Sequence, residues 1–237
     1  MPMSFDLFTE TAKLRVSLKK VCEIGVYYPE SCSLKKYIDA GIETLLVEAD
    51  PLCVEKIKQI YGSNPKVRIF QNAVWDERTR LSFYRANAST FASAVENSPA
   101  TVNDHYRPNE SDRFDVDSIL FGDIDPGDLD LVMIDVEGAE WNVLKTMRSR
   151  PKVISVEMQA GMYTNPNREK IEAWLRENGY ELWMINDTDW VYALRQTLQL
   201  SAPARIRYRL INGINGFQQR LKGFRRRLRS RIQQVSS

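Results

Sequence analysis

Two residues set the first chemical question. Gly25 ends the short apolar run VCEIG at 21–25, and Glu48 ends TLLVE at 44–48. An acid about 20 residues beyond a strand-ending glycine stands where it can hold a ribose diol in an open α/β sheet. After Gly25 the chain continues VYYPES with no further glycine. The close backbone approach to a pyrophosphate that GxGxxG provides is therefore missing, which argues against NAD and FAD. A nucleoside cofactor without pyrophosphate remains compatible. S-adenosyl-L-methionine fits, with a ribose diol for Glu48 and a sulfonium cation that acidic surroundings favour.

Further acids gather where strands should end: Asp135 and Glu137 in MIDVEGAE, and Glu157 closing KVISVE. Chemistry beside such a cofactor would want a base positioned to take a proton from the reacting group. The candidates are His105, the only histidine, which titrates in a suitable range, and Asp135, Glu137 or Glu157, whose pKa rises where burial dominates. Plainer roles stand beside these. Asp135 and Glu137 can also cap a helix beginning near Ala139, Gly138 can simply permit a tight turn, and a lone histidine in a polar loop is more often an exposed residue. Ser89 and Thr90 can make local turns, Trp141 and Trp174 read as core, and Tyr27, Tyr28 and Tyr106 fall in loops at the expected mouth. No metal is expected, because the acids lack a metal-site spacing. Cys22, Cys32 and Cys53 show no CxxC pair, and one histidine does not complete a common zinc site.

The elements that must position these residues alternate between strand and helix from 21 to 193, the pattern of a mainly parallel sheet with helices on both faces. VCEIG leads to a helix over LKKYIDAG, closed by Gly41. TLLVE leads to PLCVEKIKQIYG, with Pro51 where a first helical turn tolerates it and Gly62 at the stop. VRIFQNAV at 67–74 is a third strand and RLSFYR at 80–85 a short β excursion. Residues 86–118 lack sustained periodicity and read as a long insertion, of a kind that is usually functional or mobile. LDLVMID at 129–135 and KVISVE at 152–157 are apolar enough for buried central strands, separated by the helical stretch AEWNVLKTMRSR. REKIEAWLRENG is a helix ending at Gly179, and YELWMI with WVYAL closes the sheet as an antiparallel edge. The predicted fold class is thus α/β, doubly wound and mainly parallel with an antiparallel edge.

Composition excludes several classes. Hydrophobic residues at 43% and charged residues at 27% argue against a disordered, collagen-like or membrane-embedded chain. The start MPMSFDLFTETAKLR lacks a signal peptide's order, and no apolar run approaches the about 18 residues of a span, so a cytoplasmic location is expected. The net charge of +2 hides an asymmetry: beyond Asp189 there are eleven Lys and Arg and no acid. From about 203 the apolar residues Ile206, Leu210, Ile214, Phe217, Leu221, Phe224, Leu228 and Ile232 recur every three or four positions among arginines, a basic amphipathic helix. Gly213, Gly216 and Gly223 weaken it, so it is expected to form fully on a partner. An anionic membrane surface or a protein is favoured as that partner, and nucleic acid is not, since phosphate contact needs no apolar stripe. The expected organisation is an N-terminal helical lead at 1–19, a catalytic domain at 20–195 and the basic segment at 203–237.

The order EIG ending at 25, LLVEADP ending at 51, QNAVWD ending at 76, the pair Ser89-Thr90, LDLVMIDVEGAEWNVLK ending at 145 and KVISVE ending at 157 resembles the FkbM family of S-adenosylmethionine-dependent methyltransferases, over roughly residues 20–195. DVEGAE after an apolar strand, with an EPDP-like element upstream, is the most specific part. The resemblance implies a class I methyltransferase fold of Rossmann-like type. It also implies methylation of a hydroxyl on a glycan, a glycolipid precursor or another metabolite. Carried over, Glu23 and Gly25 flank the methionine moiety, Glu48 grips the ribose, Asp50 lies near the adenine rim, Asp76 or its neighbours contact the base, and Asp135 and Glu137 face the methyl group or the acceptor. The chain departs from the family pattern at VYYPES, which resembles a branch with GANxP and a downstream serine, here Ser33. It also has Met133 for the usual lysine and Ala49 for the usual proline. The atypical turn motivates the alternative of a non-catalytic binding module that kept the fold.

Overall fold

The computed structural model describes residues 5–86 and 89–235. Of the expected lead and tail, residues 1–4 and 236–237 lie outside the described residues. The chain enters through helix α1 (Leu7–Lys13) and strand β1 (Lys20–Ile24), whose Val21, Cys22 and Ile24 are fully buried. Helix α2 (Lys35–Asp39) stops just before Gly41, which turns at φ +74°, and β2 (Glu43–Glu48) follows. Asp50 begins α3 (Pro51–Tyr61) by accepting the Leu52 N–H at 2.8 Å. The run expected as one strand at 67–74 divides: β3 (Val67–Gln71) stays beside β2, and β4 (Ala73–Val74) leaves for a second sheet.

That second sheet absorbs part of the expected insertion. It contains β5 (Arg80–Arg85), β6 (Thr90–Ala92) and, after the short helix α4 (Pro99–Asn103), β7 (Arg113–Ile119), in the order β4-β7-β5-β6. In β7 the side chains of Val116 and Ser118 turn inward while Arg113, Asp115 and Asp117 face water. The inward set of this alternation is short and mixed, Phe114 and Val116 being followed by Ser118.

Helix α5 (Phe121–Ile124), β8 (Leu131–Ile134), α6 (Glu140–Leu144) and β9 (Val153–Glu157) continue the main layer. The helix expected through Arg150 is much shorter, because the Asp125 carboxylate accepts the N–H groups of Arg148 and Ser149 at 2.7 Å each and draws the backbone out of helical pairing. A small hairpin of β10 (Gln159–Ala160) and β11 (Tyr163–Thr164) precedes α7 (Arg168–Glu177), and β12 (Tyr180–Asn186) and β13 (Asp189–Leu194) complete the sheet. The order is β12-β13-β9-β8-β1-β2-β3, with β13 antiparallel to both neighbours and the other pairings parallel.

Successive strand residues serve opposite faces, as the pleat requires. Val21, Leu46, Leu131 and Val153 pack with Tyr37, Ile57 and Tyr61, whereas Cys22, Leu45, Val132 and Ile154 pack with Phe121, Val143, Leu144 and Ile171. Helices therefore cover both sides, the doubly wound arrangement expected. The final helix α8 (Ala202–Val235) runs unbroken through Gly213 and Gly216. Its first half is held by the sheet edge: Asn212 Oδ1 accepts the Ile185 N–H at 2.9 Å, Asn212 Nδ2 donates to Trp183 O at 3.1 Å, and Asn215 Nδ2 donates to Ile185 O at 2.8 Å. These contacts satisfy groups that an edge strand otherwise leaves open.

Candidate active site

Strand order reverses between β1 and β8, since β1 leads to β2 on one side and has β8 on the other. In open α/β sheets that reversal opens a crevice beyond the carboxyl ends of the strands. A cavity of about 280 Å³ lies there, walled by Glu23 to Tyr27, Val47 to Ala49, Ile134 to Glu137 and Ser155, and roofed from the second sheet by Phe83, Thr90 and Ala92. Its lining carries five carboxyls, those of Glu23, Glu48, Asp135, Glu137 and Asp189, and among the described residues no Lys, Arg or His. Low-dielectric walls of one sign favour a guest of the other.

The first two strand ends are held by these acids. Gly25 has φ +87°, and a Cβ there would stand 1.7 Å from the Asp135 carbonyl oxygen, so only glycine lets β1 and β8 come together at this point. Glu48 accepts the Tyr27 N–H at 2.7 Å and the Asp50 N–H at 2.8 Å, one on each carboxylate oxygen. Burial pushes its pKa up to about 7 against those amides. A carboxylate oxygen keeps a second lone pair, so Glu48 can still accept from a diol. Glu23 accepts the Ser33 N–H at 3.1 Å, the Leu34 N–H at 3.2 Å and the Cys32 thiol at 3.3 Å, fixing the loop that departs from the family pattern. It too is raised to about 7, by burial first.

The far wall gathers the remaining acids. Asp135 opens into the cavity but is ringed by protein, and the desolvation raises its pKa to about 6. Burial, then the Asp135 charge, drive Glu137 well above the usual range, opposed by a hydrogen bond from Ser89. Glu137 sits at φ +55°, an uncommon conformation for a residue with a side chain, and one oxygen of its carboxyl has no hydrogen-bond partner. Glu157, the remaining base candidate, lies behind this wall and is not among the lining residues; it is 6% exposed, likewise has an unpartnered oxygen, and is raised by burial and by Asp135.

Oxygens of Asp135, Glu140 and Glu157 lie within 4.8 Å of one another, a proximity their spacing in sequence does not reveal. Hard divalent cations take such oxygen sets. Glu140, however, is already committed: Oε1 accepts the Val136 and Gly138 N–H groups at 3.2 and 3.0 Å, and Oε2 accepts from Asn165 Nδ2.

Of the predicted site residues, Glu23, Gly25, Glu48, Asp135 and Glu137 line one cavity. Three do not. Asp50 is occupied by α3 and by a bidentate pair with Arg85 at 2.6 and 2.9 Å, so it ties the second sheet to the first from behind the wall. Asp76 accepts from Lys145 Nζ at 2.9 Å, while Asn72 to Trp75 line the cavity instead. His105 is exposed, at φ +52° after α4, and is not among the lining residues. Tyr27 lines the cavity, whereas Tyr28 packs on the Tyr27 ring and Tyr106 packs edge-on against Phe91. Trp141 and Trp174 are half-buried against the core, in line with the core reading.

Asp189 was not singled out. It reaches the cavity because β13 runs antiparallel, so its first residue, paired with Glu157, sits at the edge where the parallel strands end. Burial and the Asp135 charge raise its pKa well above the usual range.

The residues fit S-adenosylmethionine on their donor chemistry: an anchored acceptor for a ribose diol and acids unopposed by any lining cation, as a sulfonium and an ammonium would favour. The chain matches the FkbM methyltransferase domain over residues 23–182. Comparison with curated proteins returns no match. Among solved structures, it is similar to a TehB-like SAM-dependent methyltransferase from Corynebacterium glutamicum, with 10% identity, 78% of this chain and 86% of that one covered, and a TM-score of 0.42. A precorrin-6y C5,15-methyltransferase from Geobacter metallireducens gives 15% identity, 78% and 84% coverage and a TM-score of 0.41. Fibrillarin from Aeropyrum pernix, in complex with S-adenosyl-L-methionine, gives 11%, 79%, 74% and 0.42. The domain match extends from within β1 into β12 and takes in four of the five lining acids, and on that match the chain belongs to the FkbM family of S-adenosylmethionine-dependent methyltransferases.

Proposed function

We propose that this enzyme methylates a hydroxyl group of a glycan, a glycolipid precursor or a related metabolite, with Asp135 as the base. The observation that carries the reading is Asp135 itself, a carboxyl open to the cavity at the strand switch point with its pKa raised to about 6. A base works best when its pKa lies near the working pH, because it is then both ionised and able to hold the proton it takes.

S-adenosylmethionine, when bound, supplies an electrophilic methyl on a sulfonium. Glu48 holds the ribose diol, and its own anchoring to the Tyr27 and Asp50 amides fixes where that diol sits. Asp135 would take the proton that the acceptor hydroxyl loses as its oxygen gains the methyl and the carbon–sulfur bond breaks, that bond's electron pair staying on sulfur. Burial and the Asp135 charge raise Glu137, Glu157 and Asp189 above the usual carboxylate range, so ionisation in this acidic cluster favours Asp135 over its neighbours. Tyr27, Trp75 and Phe83 add flat apolar surface suited to the face of a sugar ring.

The first test is calorimetric titration with S-adenosylhomocysteine, followed by transfer of labelled methyl to panels of sugars, lipid-linked sugars, amines and RNA. Labelling of hydroxyls that Asp135→Asn abolishes while cofactor binding persists supports the reading. Labelling confined to amines or RNA overturns the acceptor class, and full turnover by Asp135→Asn overturns the base.

A further inference from the structure

The helix α8 carries its apolar residues on the wrong side for a helix that is only packed onto its own domain. Tyr208, Ile211, Asn215 and Gln219 are buried and Asn212 half-buried against the domain. Three of these five are amides, and two of them hydrogen-bond the backbone of β12. Taking 100° per residue, Ile206, Leu210, Ile214, Phe217, Leu221 and Phe224 lie about 160° away around the helix. They face solvent: Ile206 is 58% exposed, Leu210 64%, Phe217 66% and Phe224 61%. Six of the nine exposed large hydrophobic residues described are on this one stripe. A soluble surface seldom keeps such a stripe uncovered.

Charge selects what covers it. Arg205 and Arg209 are exposed along one flank of the stripe and Arg207 and Arg225 along the other. The sequence beyond Asp189 has eleven basic residues and no acid, so pairing two copies along their stripes would bring like charges together. An anionic bilayer takes both features at once, the apolar side chains entering the acyl boundary and the arginines meeting phosphate and carboxylate headgroups. From 206 to 224 the stripe is about 27 Å long, long enough to lie in the interface. No helix among the described residues is long and apolar enough to cross a membrane.

We propose that α8 seats the enzyme on an anionic phospholipid bilayer, lying in the plane of the interface with its amide face gripping the domain. The inference does not depend on the methyl acceptor or on the base. It is tested by flotation of the full chain with phosphatidylcholine vesicles that contain or lack about one third phosphatidylserine. Binding to the anionic vesicles, weakening as salt rises, is expected. Phe217→Glu combined with Phe224→Glu alters exposed positions only and should cut vesicle binding at least about tenfold, since both apolar rings that would enter the acyl boundary are replaced by acids that anionic headgroups repel. The melting temperature and S-adenosylhomocysteine affinity of that variant should match the wild type. No flotation with anionic vesicles at low salt, or equal flotation of the double variant, overturns the proposal. So does a wild-type dimer that the double variant converts to monomer without any change in vesicle binding.

Discussion

The carboxylate of Glu48 accepts the backbone N–H of Tyr27 at 2.7 Å, so the last residue of β2 holds the loop that leaves β1. Tyr27 adopts φ +61° there, a conformation that a side chain disfavours and that Glu48 sustains. Replacing Glu48 removes both the proposed ligand to the diol and an anchor of the cavity wall. A hydrogen bond to a charged group is worth about 1.5–3 kcal/mol, so Glu48→Ala is expected to weaken S-adenosylhomocysteine binding about 10–100-fold by calorimetry. Unchanged affinity would place the ribose elsewhere and favour the non-catalytic alternative.

Gly25→Ala tests how closely β1 and β8 meet. The added carbon would stand 1.7 Å from the Asp135 carbonyl at a φ of +87°, so the backbone carrying the proposed base must move. A melting temperature lower by about 8 °C or more is expected, given about 2–4 °C per kcal/mol for a chain of this size. Retention of wild-type melting and cofactor affinity would show that the two strand ends have slack.

The buried acids at and beside the cavity make stability depend on pH in an unusual direction. Glu23, Glu48 and Glu140 are raised from 4.5 to about 7, and Asp135 from 3.8 to about 6, burial being the first cause in each. Between those limits the folded chain binds more protons than the unfolded one, so stability falls as pH rises through the folded values. Melting without ligand should therefore occur at a lower temperature at pH 8 than at pH 5, and Glu48→Gln, which cannot ionise, should reduce the fall. A melting temperature that rises over the same interval would mean these carboxyls are well solvated.

Much of this site is legible in sequence because parallel strands bring their carboxyl ends to one edge. Gly25, Glu48 and Asp135 needed only the strand pattern to be placed together. Asp189 needed the direction of β13, which is a property of the sheet and not of the residues around it. Asp50 and Asp76 lie next to the right strands, yet Arg85 and Lys145, 35 and 69 residues away, hold them. In α8 the periodicity is plain, but three of the five docking residues are amides that read as polar surface until the edge of β12 is seen opposite them.

Glu140 bears on whether a cation belongs in this site. Its oxygens hold the Val136 and Gly138 amides and accept from Asn165, so it shapes the turn through Glu137 and Gly138 and leaves only Asp135 and Glu157 of the acidic trio for an ion. Methyl transfer should accordingly survive EDTA with turnover changed less than twofold, within the scatter of about 0.4 kcal/mol. Loss of activity on chelation, restored by magnesium, would return Glu140 to the chemistry.

The base is the last assignment to be separated from its rivals. Asp135 opens into the cavity, whereas His105 is exposed after α4 and lines none of it. Removing a positioned base costs about 10²–10⁴ in rate, so Asp135→Asn should lower kcat by that much while S-adenosylhomocysteine still binds. His105→Gln should leave kcat within about twofold, less than even a weak base would contribute. The pH profile adds a readout that mere misfolding would not produce: wild-type kcat should rise through pH about 6, the raised pKa of Asp135, and the residual activity of Asp135→Asn should lose that limb. If His105→Gln removes the limb and Asp135→Asn retains it, the proton goes to the loop histidine, and α4 must move to bring it to the acceptor.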